Sequence, residues 1–223
     1  MLQPDPENGA PTQPTKQKAI SGTTIPRRPG SDWVKKILMM IIKKNNPYIG
    51  PSFTLKNRMC RLIWNFTYLV FFYLSPRPLH KWRIFLLKLF GAKIGKNCHI
   101  DRKVEIWAPW NLVLGNYIGI GENVKIYNMD KVIIDDFCII STGTFFCCGS
   151  HDYNSKNFQL YAKPIKLKKN IWICADVFVH PGVEINEGCV VGARSVVTKN
   201  LDTDNSVYSG NPCTFIKKRT IFK

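Results

Sequence analysis

The chain has 223 residues, with 32 Lys+Arg against 15 Asp+Glu, a formal charge of +17 and a pI near 9.6. Its content of 45% hydrophobic and 12% aromatic residues is enough for a core and excludes the disordered class. The length suits one large domain, or one domain with an appendage. The basic balance points to nucleic acid, a membrane surface or an anionic cofactor as partner. The charge is uneven: residues 1–90 hold 15 Lys+Arg and 3 acids, whereas residues 91–223 hold 17 and 12.

Residues 1–30 are polar and rich in Pro, Thr and Gln, with no apolar h-region, so they are expected to be a disordered tail rather than a secretory signal. Residues 31–92 form a basic, aromatic-rich segment expected to be helical. Its first apolar stretch, 33–42, is bracketed by Lys35, Lys36, Lys43 and Lys44, with Ser31 or Asp32 as a cap. The second, 62–74, is thirteen residues long, carries Asn65 and Thr67, and is stopped by Pro76 and Pro78. That is short of the roughly 20 apolar residues of a bilayer span. From His80 to Phe90 apolar residues resume, mixed with Lys81, Arg83 and Lys88. Two readings stay open: an interfacial segment on anionic lipid, or helices that pack on the main domain or on a partner subunit.

The eight cysteines (Cys60, Cys98, Cys138, Cys147, Cys148, Cys174, Cys189, Cys213) show no CxxC pair and no ligand spacing. They are expected to be free thiols of a reducing compartment, with neither a disulfide framework nor a metal site.

From Gly91 a repeat emerges. Aliphatic residues recur at every sixth position through Ile94, Ile100 and Ile106, then Leu114, Ile120 and Ile126, then Ile134, Ile140 and Phe146. After an interruption they resume at Leu167, Ile173, Val179, Ile185, Val191 and Val197. Four residues further on lies a small or apolar residue, among them Cys98, Val104, Cys138, Thr144, Cys189 and Ser195. Turn-tolerant residues such as Gly95, Asp101 and Gly115 often follow the aliphatic directly. No helix has a period of six. A short strand, a turn of about 120° and another short strand does: three units close a triangular coil whose aliphatics point inward and stack on the next coil. Residues 93–212 are therefore expected to be an all-β solenoid, interrupted by a loop over 147–166 and followed by a basic segment, 213–223.

The blocks Phe90-Gly-Ala-Lys-Ile-Gly95, Gly149-Ser-His-Asp-Tyr-Asn154, Ile171-Trp-Ile-Cys-Ala-Asp176, Pro181-Gly-Val183, Val191-Gly-Ala-Arg-Ser-Val-Val-Thr-Lys199 and Gly210-Asn-Pro212 carry a resemblance. Together they resemble the hexapeptide-repeat acyltransferases, nearest the colanic-acid-type O-acetyltransferases and more distantly the maltose and galactoside acetyltransferases. The resemblance covers about residues 57–219 and implies a left-handed parallel β-helix, a hand contrary to the usual crossover rule.

A histidine in a loop that projects from a rigid solenoid is chemically suited to take a proton from a hydroxyl attacking a thioester. The resemblance makes His151 that general base, with direct transfer from acetyl-CoA to a saccharide hydroxyl in a surface-polysaccharide pathway. It places Asn128 near the acceptor, and Asp152 and Tyr153, which directly follow His151, are expected to contact the acceptor too. It places Trp172, Ala175, Ala193, Ser195, Thr198 and Lys199 along the cofactor, and Lys217 and Lys218 near its phosphates. It also implies a homotrimer whose site lies between subunits, in the cytoplasm or on the inner membrane face, with a saccharide acceptor that is free or lipid-linked. N-acetylation of an amino sugar or an antibiotic-type acceptor, acyl-cysteine chemistry at Cys147 or Cys148, and a non-catalytic scaffold are the competing readings. No basic stripe with regular stacking aromatics is evident along the repeat, which argues against nucleic acid. The chain departs from its relatives in having Cys213-Thr214 where they commonly carry Ala-Arg, and Cys174 where glycine is common.

Overall fold

The computed structural model describes residues 51–220. The tail expected over 1–30 and the helix expected over 33–42 lie outside the described residues. The segment before the repeat folds as helix α1 (Leu55–Thr67), a π-helical turn (Tyr68–Tyr73) and helix α2 (His80–Leu89). Thr54 starts α1, its hydroxyl accepting the Asn57 N–H at 3.3 Å. The prolines at 76 and 78 separate the helices, because proline neither donates an N–H nor tolerates a helical residue before it.

Trp64 and Phe72 are fully buried, and Trp64 packs on the rings of Tyr68, Phe72 and Phe90. The Trp64 indole also donates to the Ile106 carbonyl at 2.6 Å, fastening α1 to the solenoid. Arg83 fastens α2. Its buried guanidinium donates to the carbonyls of Ile100, Pro76 and Arg77 and to the Ser75 hydroxyl, and it contacts Nδ1 of His80 at 3.0 Å.

The solenoid begins with β1 (Lys93–Ile94), β2 (His99–Ile100) and β3 (Glu105–Ile106). The second coil is β4 (Leu112–Leu114), β5 (Gly119–Ile120) and β6 (Lys125–Tyr127); the third is β7 (Val132–Ile134), β8 (Ile139–Ile140) and β9 (Phe145–Cys147). A hairpin, β10 (Gly149–His151) and β11 (Leu160–Ala162), interrupts the repeat. The fourth coil is β12 (Ile165–Leu167), β13 (Trp172–Ile173) and β14 (Phe178–Val179); the fifth is β15 (Glu184–Ile185), β16 (Val190–Val191) and β17 (Val196–Val197). An antiparallel pair, β18 (Ser206–Ser209) and β19 (Thr214–Lys218), ends the stack.

Corresponding strands pair in parallel into three sheets. Sheet 1 runs β1-β4-β7-β12-β15, sheet 2 runs β2-β5-β8-β13-β16-β18-β19, and sheet 3 runs β3-β6-β9-β14-β17. The period-six aliphatics are in register: Ile94 on Leu114 on Ile134 on Leu167 on Ile185 in sheet 1. Ile100, Ile120, Ile140, Ile173, Val191 and Tyr208 stack in sheet 2. Ile106, Ile126, Phe146, Val179 and Val197 stack in sheet 3. All are buried and form one continuous core with Trp64, Phe72 and Leu87. This is the parallel β-solenoid expected from the repeat, and it matches left-handed hexapeptide-repeat β-helices.

The corners work differently from the sequence expectation. The left-handed backbone falls three residues after the aliphatic, at Asn97, Tyr117, Asn123, Phe137, Asn170, Asp176 and Arg194. The glycines that directly follow the aliphatic serve close stacking instead. A Cβ on Gly95 would sit 2.5 Å from the Gly115 carbonyl, and one on Gly115 would sit 2.7 Å from the Asp136 N–H. Asn116 and Asp136 bridge the coils beside them, accepting the N–H groups of Lys96 at 2.8 Å and Asn116 at 2.7 Å.

Candidate active site

The interruption expected over 147–166 is the β10–β11 hairpin. The chain leaves sheet 3 at β9 and re-enters sheet 1 at β12, so the hairpin stands on the edge between those sheets. Its root is held by the Cys148 N–H on the Tyr127 carbonyl at 3.1 Å and the Lys163 N–H on the Cys148 carbonyl at 2.9 Å.

His151 ends β10 and is exposed. Its Nδ1 lies 2.6 Å from the Phe158 carbonyl oxygen. A carbonyl only accepts, so Nδ1 carries a proton, and Nε2 is the ring nitrogen left without a partner in this contact. The carbonyl is itself fixed by the hairpin tip. The Ser155 hydroxyl donates to the Asp152 carbonyl at 2.8 Å and accepts the Gln159 N–H at 2.7 Å, and the Phe158 N–H reaches the Ser155 carbonyl at 3.1 Å. Asp152 turns away from the imidazole: its carboxylate accepts the Asn154 N–H at 3.0 Å as an Asx turn. Tyr153 stands exposed at the tip.

The other expected site residues divide by location. Thr198 and Lys199 leave β17 toward Leu201, which bridges to Ile185 of sheet 1, so they share the edge between sheets 3 and 1 with His151. With Pro181, Gly182, Asn200 and Asp202 they line an open depression of about 420 Å³. Trp172 is 47% exposed on sheet 2, its indole donating to the Ser141 hydroxyl at 3.0 Å. Lys217 and Lys218 lie on the β19 margin of that sheet, and Lys218 donates to the Asp204 carbonyl. Ala175 and Ala193 sit on the edge between sheets 2 and 3. In a three-sided prism one edge faces away from the opposite side. His151 of one chain and Trp172 of the same chain therefore do not face a common ligand.

Two expectations are corrected. Asn128 is fully buried, and its amide accepts the Ala108 N–H at 2.9 Å and donates to the Ala108 carbonyl at 2.7 Å. It joins adjacent coils where the ladder is interrupted and leaves no amide group facing an acceptor. Ser195 likewise points inward: its hydroxyl donates to the Gly192 carbonyl at 2.6 Å and accepts the Gly210 N–H at 3.1 Å. Its small size serves the core rather than a ligand.

The thiols near His151 are poor nucleophiles. Burial pushes Cys148 up to about 12 and also raises Cys147, whose sulfur donates to the Gly149 carbonyl. Among the described residues no cluster of His, Cys, Asp and Glu has metal-binding geometry.

The structure also assembles a feature the sequence reading missed. Trp107, Tyr127, Phe145, Phe178 and His180 form a column of edge-on rings down sheet 3. Between this column and α1 lies a groove of about 280 Å³, lined by Trp64, Asn65, Tyr68, Glu105, Lys125 and Tyr127 among others. Arg61 stands over the Trp107 ring at 4.2 Å. Tyr127 bounds the groove and also holds the hairpin root. The rings pack edge-on into one another and do not stand apart as a stacking ladder.

No protein-family model matches the chain. A protein of Escherichia coli K12 named "Putative colanic acid biosynthesis acetyltransferase WcaF" is 47% identical over 145 residues, covering 65% of this chain and 79% of its own. The galactoside O-acetyltransferase of the same organism is 30% identical over 136 residues, covering 60% of this chain and 66% of its own. Among solved structures, a galactoside acetyltransferase in complex with coenzyme A superimposes with a TM-score of 0.69 at 26% identity, over 76% of this chain and 86% of that one. The period-six core, the interrupting histidine hairpin and these likenesses lead to one assignment: the chain belongs to the hexapeptide-repeat acetyltransferases, with a colanic-acid-type relative at 47% identity.

Proposed function

We propose that the protein transfers an acetyl group from acetyl-CoA to a hydroxyl of a saccharide, with His151 as general base. The observation that carries the reading is the 2.6 Å contact of exposed His151, through Nδ1, with the Phe158 carbonyl, which reserves Nε2 as the nitrogen that can take a proton. Acetyl-CoA supplies the activated acyl group. Nε2 takes the hydroxyl proton as the sugar oxygen forms its bond to the thioester carbonyl carbon. The C–S bond breaks, and the proton passes from the imidazolium to the departing sulfur, giving an acetyl ester and free thiol. The raised thiols of Cys147 and Cys148 favour this direct transfer over an acyl-cysteine.

The acceptor class is supported by the groove beside the hairpin root. Aromatic walls suit the apolar faces of a sugar ring, and Glu105, Lys125 and Asn65 suit its hydroxyls. The relatives named for colanic acid and galactosides point the same way, as does a neighbour holding coenzyme A. Small Ala193, exposed Thr198, Lys199 and Lys217, and the Trp172 face fit a long, thin, anionic donor. These lie on different sides of the prism from one another, so the complete site needs a second chain, in a homotrimer. The exposed apolar residues Ile139 and Trp172 of sheet 2, with the stacked rings of Tyr117 and Phe137 at its edge (5.0 Å apart), suit that contact. Surface-polysaccharide assembly on the cytoplasmic side is the setting this reading favours.

The test is release of CoA thiol from acetyl-CoA with a panel of glycans, followed by mild alkali. An ester is lost and an amide persists, so an alkali-stable product moves the acceptor to an amino sugar. His151→Ala is expected to lower kcat by about 10²–10⁴-fold; wild-type turnover refutes the base. A monomer that retains full activity refutes the shared site.

A further inference from the structure

The helical segment shows a second apolar face that the solenoid does not use. On α1 the stripe of Leu55, Met59, Leu62, Ile63 and Phe66 recurs at helical spacing on the side opposite buried Trp64. All five are exposed, Phe66 by 64%. The π-helical turn continues it with exposed Leu69, Val70 and Phe71. On α2, Trp82, Phe85 and Leu89 form a matching stripe opposite buried Leu87. The Trp82 indole donates to the Phe71 carbonyl at 2.9 Å, and its ring stacks on Phe85, so the two stripes are joined. A contiguous patch of this size on a folded chain marks an interaction surface.

We propose that this face docks the protein peripherally on an anionic bilayer, with the apolar stripes in the headgroup–acyl boundary. Charge selects the occupant. Residues 51–92 carry seven Lys+Arg and no Asp or Glu. On the α1 helix, Lys56 and Arg58 fall on either side of the stripe, and on α2 Lys81 and Lys88 together line one side of the other. A second copy would bring two acid-free cationic rims together. Residues 31–50 are no better complement, with Lys35, Lys36, Lys43 and Lys44 against Asp32 alone. An anionic lipid surface accepts both the cations and the apolar stripes. Among the described residues no helix is long and apolar enough to cross a membrane, and one-sided apolar stripes with cationic borders are the pattern of helices that lie on a surface. The inference does not rest on the reaction, since binding is read without turnover.

The test is sedimentation of the full chain with phosphatidylcholine vesicles, with and without about 30% phosphatidylglycerol. Binding is expected to be at least about tenfold stronger to the anionic vesicles, and to fall as salt rises from about 0.1 to 1 M. Replacing Leu62, Phe66 and Phe85 together by Ser is expected to cut binding at least about tenfold, with circular dichroism and sedimenting mass unchanged. Lys56→Glu with Arg58→Glu, a surface change that spares the apolar stripe, is expected to lose the anionic preference alone. Equal binding to both vesicles, or none to either, overturns the proposal. So does a lower sedimenting mass of the Ser variant without lipid, which would make the face a contact between copies.

Discussion

Replacing Arg83 by Lys tests how the helical segment is held to the solenoid. A guanidinium has five N–H donors, and all five are engaged: four meet oxygens, Nε on Ile100 O at 2.8 Å, Nη1 on Ser75 Oγ and Pro76 O at 2.9 Å each, and Nη2 on Arg77 O at 2.6 Å, while Nη2 also contacts His80 Nδ1 at 3.0 Å. None of these partners is a carboxylate. Burial pulls the Arg83 guanidinium below its ordinary value while the charge of Asp101 pushes it back up. Lysine keeps the charge but has three donors on one atom, so at least two of these five contacts are lost. Hydrogen bonds to charged groups contribute about 1.5–3 kcal/mol each. Two are lost, and the outer carbonyls of Pro76 and Arg77 regain some water, so Arg83→Lys is expected to cost about 3 kcal/mol in the anchorage of α2. Urea unfolding followed by tryptophan fluorescence reads this once Trp107, Trp110 and Trp172 of the solenoid are replaced by Phe in both proteins, so that the tryptophans before the solenoid, Trp64 and Trp82 of the helical segment among them, carry the signal. The expected result is an early fluorescence transition that separates from the far-UV signal of the β-helix, since solenoids lose cooperativity between neighbouring units. A Lys variant whose fluorescence midpoint matches the wild type refutes the five-donor account.

Three further outcomes follow from the same structure. Gly115→Ala is expected to destabilise by about 1–3 kcal/mol by overpacking, because the added methyl meets the Asp136 backbone and displaces the Asn116–Asp136 bridge; thermal unfolding checks it. Asp130 is buried, its Oδ2 lacks a partner, and burial raises its pKa, so the folded state holds its proton more tightly than the unfolded chain. Its contribution to stability therefore falls as pH rises from about 4, through the range between its unfolded and folded values; Asp130→Asn should remove that fall, and a variant less stable relative to wild type at pH 7 than at pH 4 would contradict the sign. Cys147→Ala and Cys148→Ala are each expected to keep kcat within about threefold of wild type, whereas loss of turnover on a par with His151→Ala would restore an acyl-cysteine route.

The interior of the solenoid was legible because each coil repeats one requirement. An inward aliphatic must meet its counterpart in the next coil, and that need writes itself as Ile, Leu or Val at period six. The interrupting hairpin was equally visible, since a break in so regular a pattern leaves residues with no core position to fill. His151 stood out for the same reason. The corner rule was misread because two demands fall within three residues. Gly95 and Gly115 answer close stacking of coils, whereas the left-handed backbone three positions beyond the aliphatic is taken by residues as large as Tyr117 and Phe137. Asn128 was misplaced because a buried asparagine that mimics a strand and an exposed one that meets a ligand look identical in sequence.

The aromatic column was not legible. Trp107 and Tyr127 follow their inward aliphatic, whereas Phe145 and Phe178 precede theirs, so no single spacing links them. They meet only because stacking places residues of successive coils side by side. The outward stripes on α1 and α2 were visible as apolar spacing, but either stripe of a helix could have been the buried one. A triangular coil, its core and the histidine that breaks it are all written in the chain, because burial recurs along it at a fixed interval. Which edge carries that histidine, which face of each helix is left open, and why Trp172 lies on another side of the prism emerge only on folding. Those are relations between residues distant in sequence, and only the winding of the chain about one axis sets them.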